Sequence, residues 1–97
     1  MNDALRFLGL LNKAGILRFG GNLSQSLGKA SLLVLAMDAS DNTKKAYRKE
    51  GLEILEIFTK EELGQALGFE ELAAVLVMNK KAAKSLLAKA QKKGESA

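Results

Sequence analysis

Apolar and polar positions follow two rhythms along this chain. Leu5, Leu8 and Leu11 recur at helical spacing, and Gly15 stands just past Lys13, so a first helix is expected from Ala4 to about Lys13. Ile16 to Phe19 reads as a short strand, and a brief helix should begin at Gly21–Asn22 and stop by Gly28. Residues 32–37 (Leu32-Leu33-Val34-Leu35-Ala36-Met37) are apolar at every position, the mark of a central strand covered on both faces. A third helix should start near Ser40–Asp41 and run to Glu50, with Lys and Arg late and Gly51 beyond as stop signals. Glu53 to Phe58 is the next strand. Thr59 and Glu62 then have the T-x-x-E spacing of a capping box, with Phe58 and Leu63 placed for a hydrophobic staple, and that helix should end at Gly68. Ala73 to Met78 is another apolar strand. Asn79 is placed to cap a last helix over 80–92 with an Ala82–Leu86–Leu87–Ala90 stripe. Strands alternating with helices indicate an α/β protein. A fully apolar strand needs cover on both sides, so the expected architecture is a three-layer α/β/α sandwich around a four-stranded mixed sheet.

Composition narrows the chemistry. The chain has 97 residues with no proline and no linker stretch, so one domain over 1–97 is expected, with a basic tail from about 91. Cysteine and histidine are both absent. Disulfides, thiolate metal sites and every catalytic dyad or triad built on histidine are thereby excluded. Neither G-x-G-x-x-G nor a Walker pattern occurs, and no cofactor is expected. No apolar run approaches the roughly 20 residues of a membrane span, and no signal-peptide pattern opens the chain. The expectation is a soluble cytoplasmic protein without a membrane partner.

The net charge of +4 hides a blocked arrangement. Residues 1–49 and 80–97 are basic, and residues 50–79 are acidic with Lys60 as their one cation. Two basic blocks present a stronger field to a polyanion than the total suggests, which makes nucleic acid the first candidate partner. The plain alternative is a solvated surface. The lysines of the last helix surround it instead of forming one stripe, which favours bulk electrostatics over a dedicated groove.

Three strings, LGLLNKAGILRFG at 8–20, GKASLLVLAMDASDNTKK at 28–45 and IFTKEELGQALG at 57–68, resemble one family in combination and in order. The resemblance spans about residues 5–90 and is to the L-seven-Ae/L-thirty-e ribosomal protein superfamily, within it the bacterial YlxQ-like branch. It implies a non-catalytic, ribosome-associated protein that grips a sharply bent, kink-turn-like RNA. Members set the N-terminus of the second helix against the sheared G·A pairs of the bend. Crowded phosphates suit free N–H groups there, and the distortion opens base edges hidden in an ordinary A-form groove.

The family pattern at that point is approximately G-x-N-E with a Lys one turn later. Here it is Gly20-Gly21-Asn22-Leu23, with Ser26 at the Lys position and a helix about one turn shorter than usual. Asn22 can donate to and accept from a purine edge, and the glycines allow close backbone approach. Asn22 could equally serve only as a turn and helix cap. By position, the resemblance adds Ser40 and Lys44 after the central strand, and Leu72 and Ala73 before the last strand, the latter two as an apolar edge against flipped or stacked bases. Arg18 and Lys44 are expected to make the sheet end bearing Gly20–Asn22 and Ser40 the positive pole. Asp38 reads as an Asx turn capping the third helix, not as a phosphoryl acceptor. The alternative function is a protein-interaction module. A Leu23 exposed at the reading edge would favour that reading.

Overall fold

The computed structural model describes residues 3–19, 23–47 and 51–95. Its elements in chain order are α1 (Asp3–Lys13), β1 (Leu17–Arg18), α2 (Leu23–Ser26) running into a 3-10 turn (Leu27–Lys29), β2 (Leu32–Ala36), α3 (Asp41–Tyr47), β3 (Ile54–Phe58), α4 (Lys60–Leu67), β4 (Ala74–Val77) and α5 (Lys80–Glu95). The strands form one mixed sheet in the order β1-β4-β2-β3. β4 runs antiparallel to both β1 and β2, whereas β2 and β3 are parallel. α1 packs on α4 and α5, α2 packs on α3, and β4 touches both α2 and α5. Two helical groups therefore sandwich the sheet, as the apolar strands require. No helix among the described residues is long and apolar enough to cross a membrane.

The core follows the predicted periodicities. Every residue of β2 and β4 is buried, and Leu5, Leu8 and Leu11 of α1 belong to the same buried cluster. Ala82, Ala83, Leu86 and Ala90 make the buried stripe of α5, with Leu87 half-buried beside it. Local capping signals are realised. Glu62 N–H donates to Thr59 Oγ1 at 3.1 Å, and Thr59 N–H donates to Glu62 Oε1 at 2.9 Å, closing the capping box. Asn79 Oδ1 accepts from Ala82 N–H at 3.0 Å. Gly68 ends α4 in the left-handed region at φ 89°, where a side chain would be strained.

Three expectations are corrected. β2 stops at Ala36, and Met37 is an exposed turn residue, because its N–H follows β3 by donating to Phe58 O while its side chain has left the sheet layers. The first strand is shorter than 16–19, although Ile16 O still accepts from Met78 N–H at 2.8 Å. Asp38 does not cap the third helix. Its Oδ1 accepts from Lys60 N–H at 2.8 Å, so it caps α4, while Ser40 Oγ takes Thr43 N–H and caps α3. The predicted starts and ends at Gly21–Asn22 and Arg48–Glu50 lie outside the described residues.

One close approach fixes the loop between α4 and β4. A Cβ on Gly64 would lie 2.7 Å from Glu70 C, Glu70 O and Glu71 N, all backbone atoms. Phe69 N–H also donates to Gly64 O at 2.7 Å. Gly64→Ala must displace this loop and is expected to cost about 1–3 kcal/mol as overpacking. Urea titration reads the loss, and an unchanged midpoint would show that the loop yields freely.

Candidate nucleic-acid interface

One end of the sheet gathers the connections that the resemblance implicates. β2 and β3 finish there, β4 begins there, and the chain leaving β1 heads the same way, since Leu17 pairs with Val77 and Arg18 with Leu76. Three pieces of described chain meet at this end: Phe19 after β1, the Met37–Ser40 turn, and the 68–73 loop. They are tied together. Phe19 and Phe69 meet edge to face, with ring centroids 5.2 Å apart and an interplanar angle of 77°. Asp38 links the Met37–Ser40 turn to the start of α4, and Leu72 N–H donates to Lys60 O at 3.0 Å. Gly20, Gly21 and Asn22 lie outside the described residues. The residues flanking them, Phe19 and Leu23, are both packed on the core.

The predicted side chains fare differently. Leu72 and Ala73 are half-buried and pack against the core, which leaves part of each at this end. Ser26 is half-buried, and Ser40 is exposed but occupied as the α3 cap, with its Oγ 2.9 Å from Thr43 Oγ1. Leu23 is only 4% exposed and belongs to the core, so it does not form the exposed apolar edge that would favour a protein partner. Its helix is too short for periodicity to reveal which way it faces.

Both predicted cations are committed within the domain. Lys44 Nζ lies 2.9 Å from Glu56 Oε2 and donates to Met37 O at 3.0 Å, strapping α3 to the turn after β2 and to the middle of β3. The Arg18 guanidinium turns away from this end and donates to Gly15 O at 3.1 Å and Leu17 O at 2.9 Å. Around the connections stand Asp38, Asp41, Glu61, Glu62, Glu70 and Glu71, against Lys60 and the paired Lys44. Among the residues that flank these connections, carboxylates therefore outnumber lysines. Blocks of charge along the chain do not map onto sheet ends, because each strand carries its flanking residues to opposite ends.

Lys44→Ala is accordingly expected to leave the salt dependence of any RNA affinity unchanged, because a lysine bound to Glu56 releases no phosphate counterion. A slope that falls by about one unit would show instead that Lys44 exchanges Glu56 for a phosphate.

Sequence reasoning missed the two large apolar side chains that this end exposes, Phe69 (48%) and Met37 (47%). Phe69 directly follows the Gly68 stop and could have been suspected as a loop aromatic. Met37 was absorbed into an apolar run. No group of His, Cys, Asp or Glu among the described residues could hold a metal ion.

No family model and no curated protein sequence matches this chain. Solved structures do. A protein of unknown function from Bacillus halodurans aligns with a TM-score of 0.80 and 24% identity over 92% of this chain and 97% of that one. The Giardia lamblia 15.5kD RNA binding protein aligns with a TM-score of 0.66 and 21% identity over 95% of this chain and 84% of that one. At such identities the likeness is one of fold, and the fold is one on which a solved RNA-binding protein is built.

Proposed function

We propose that this chain is a non-catalytic RNA-binding protein that takes a kink-turn-like bent RNA against the start of α2, in association with the ribosome in a bacterial cytoplasm. The observation that carries the reading is the Phe19–Phe69 contact, which holds Phe19, the residue just before Gly20-Gly21-Asn22 in sequence, against the 68–73 loop. A bend inserted there meets, on one side, glycines and an amide that can read a purine edge. On the other it meets Phe69, Leu72 and Ala73, an apolar surface for unpaired bases. The fold shared with the Giardia RNA-binding protein supports RNA binding in general.

The test is a salt-controlled gel shift on three RNAs: a kink-turn, a straight duplex, and the kink-turn with its sheared G·A pairs replaced. Preference for the first is expected. Equal affinity for all three would reduce the reading to general electrostatics.

A second reading rests on a different observation. Phe69 and Met37 are exposed at an end rich in carboxylates, which also suits a protein partner with an apolar centre and a basic rim. Failure to prefer the kink-turn, with tight capture of such a partner, would move the function there.

A further inference from the structure

A group of exposed lysines stands at the end opposite the recognition end. There α1 ends, β1 starts, the 3-10 turn hands over to β2, and α5 begins. Backbone bonds draw these pieces together: Met78 N–H donates to Ile16 O, and Ser31 N–H donates to Val77 O, both at 2.8 Å. Lys13 closes α1, Lys29 closes the 3-10 turn, and Lys80 and Lys81 open α5, all four exposed. Arg18, turned back to Gly15 O, adds its guanidinium to the same end. None of the four lysines has an ion-pair partner among the described residues. Glu53, at the start of β3, is the one carboxylate that the described strands and turns bring there.

Two lysines at the first turn of α5 run against the helix dipole, whose positive end lies at that turn. Placing Lys80 and Lys81 there costs local stability and concentrates positive field at an end where Glu53 is the one described counter-charge. A polyanion held across several of these cations would gain by counterion release.

We infer that this end is a second RNA contact surface, which takes phosphodiester backbone without reading bases. It rests on the RNA-binding reading and extends it: the bend sits at one sheet end, and a duplex passing along the domain reaches the other. The domain measures 33 × 25 × 24 Å along its principal axes, so an RNA arm longer than 33 Å can reach both ends whichever axis joins them. Sequence would be read at the apolar, carboxylate-rich end and charge would be neutralised at the lysine end, so base discrimination and salt dependence should separate by mutation.

The experiment compares the wild type with a variant carrying Lys13→Gln, Lys29→Gln, Lys80→Gln and Lys81→Gln, after thermal melting confirms that both fold. Two kink-turn RNAs serve as probes, one with arms shorter than the domain and one with an arm longer than 33 Å. On the long-armed RNA the slope of log affinity against log salt is expected to fall by about 0.7–0.9 for each phosphate that is no longer neutralised, so by roughly 3 in all. On the short-armed RNA it should not change. If the surface holds a separate RNA instead of an arm, wild type bound to the short-armed probe will also take up a straight duplex, and the variant will not. Either result supports the inference. Equal slopes for the two proteins on the long-armed probe, with no duplex taken up in trans, overturn it and leave the bend-binding reading standing. Loss of binding to phosphatidylserine vesicles alone would assign the lysines to a membrane and overturn it as well. A wild type that binds none of the RNAs removes the underlying reading along with the inference.

Discussion

Leu23→Glu is expected to unfold most of the protein at ordinary temperature. Leu23 is 4% exposed at the start of α2, inside the continuous apolar core. The described residues include no buried polar side chain, so a carboxylate there would have no ready partner. Burying it unpaired costs several kcal/mol, against a total stability of about 5–15 kcal/mol for a domain. Each kcal/mol lowers the melting temperature of a domain this size by about 4–8 °C, so a fall of roughly 20 °C or more should appear in a circular dichroism melt. Leu23→Ala should cost about 2–5 kcal/mol through the cavity alone. A melt of Leu23→Glu within a few degrees of wild type would mean that this side chain points outward. The result bears on function as well. The resemblance places a carboxylate at this position, and a simple exchange cannot restore it here, because this chain uses the position as an anchor for the recognition segment.

Phe58→Ala is the other large effect expected. Phe58 is fully buried at the end of β3, and the same residue precedes the capping box of α4. It stands at the staple position opposite Leu63, which is equally buried. Truncating a buried Phe costs about 3–5 kcal/mol. The damage should centre on the recognition end, since Phe58 O holds Met37 N–H at 2.8 Å, and the next two residues carry the cap and the Asp38 bond. Native-state hydrogen exchange should show protection failing first at Met37 and Lys60. Uniform loss across the sheet would contradict this local role.

Features that depend on neighbours in sequence were legible before the fold was seen. The capping box at Thr59 and Glu62, the stop at Gly68 and the Asn79 cap each involve groups a few residues apart, and local chemistry decides them. The two fully apolar strands were equally plain, because burial on both faces leaves no polar position. What was not legible depends on distant contacts. Asp38 caps a helix 22 residues away, so proximity to the third helix misled. Phe19 meets Phe69 only once the sheet has formed. The hydrogen bond from Arg18 to Gly15 and the pairing of Lys44 with Glu56 commit both predicted cations, and neither can be read from blocks of sequence. The site itself was legible chiefly through the resemblance, because Asn22 behind two glycines is also an ordinary turn.

The central claim is that a bent RNA is read at the connection between Phe19 and Leu23, and base discrimination tests it most directly. Affinity should be measured by titration calorimetry at fixed salt for wild type and Asn22→Ala, on a kink-turn RNA and on the same RNA with its sheared G·A pairs replaced. Wild type should prefer the intact bend, and Asn22→Ala should lose about 1–3 kcal/mol of that preference while binding the altered RNA as before. If wild type makes no distinction between the two RNAs, or if Asn22→Ala weakens both alike, the bend is not read at this end and the account is contradicted.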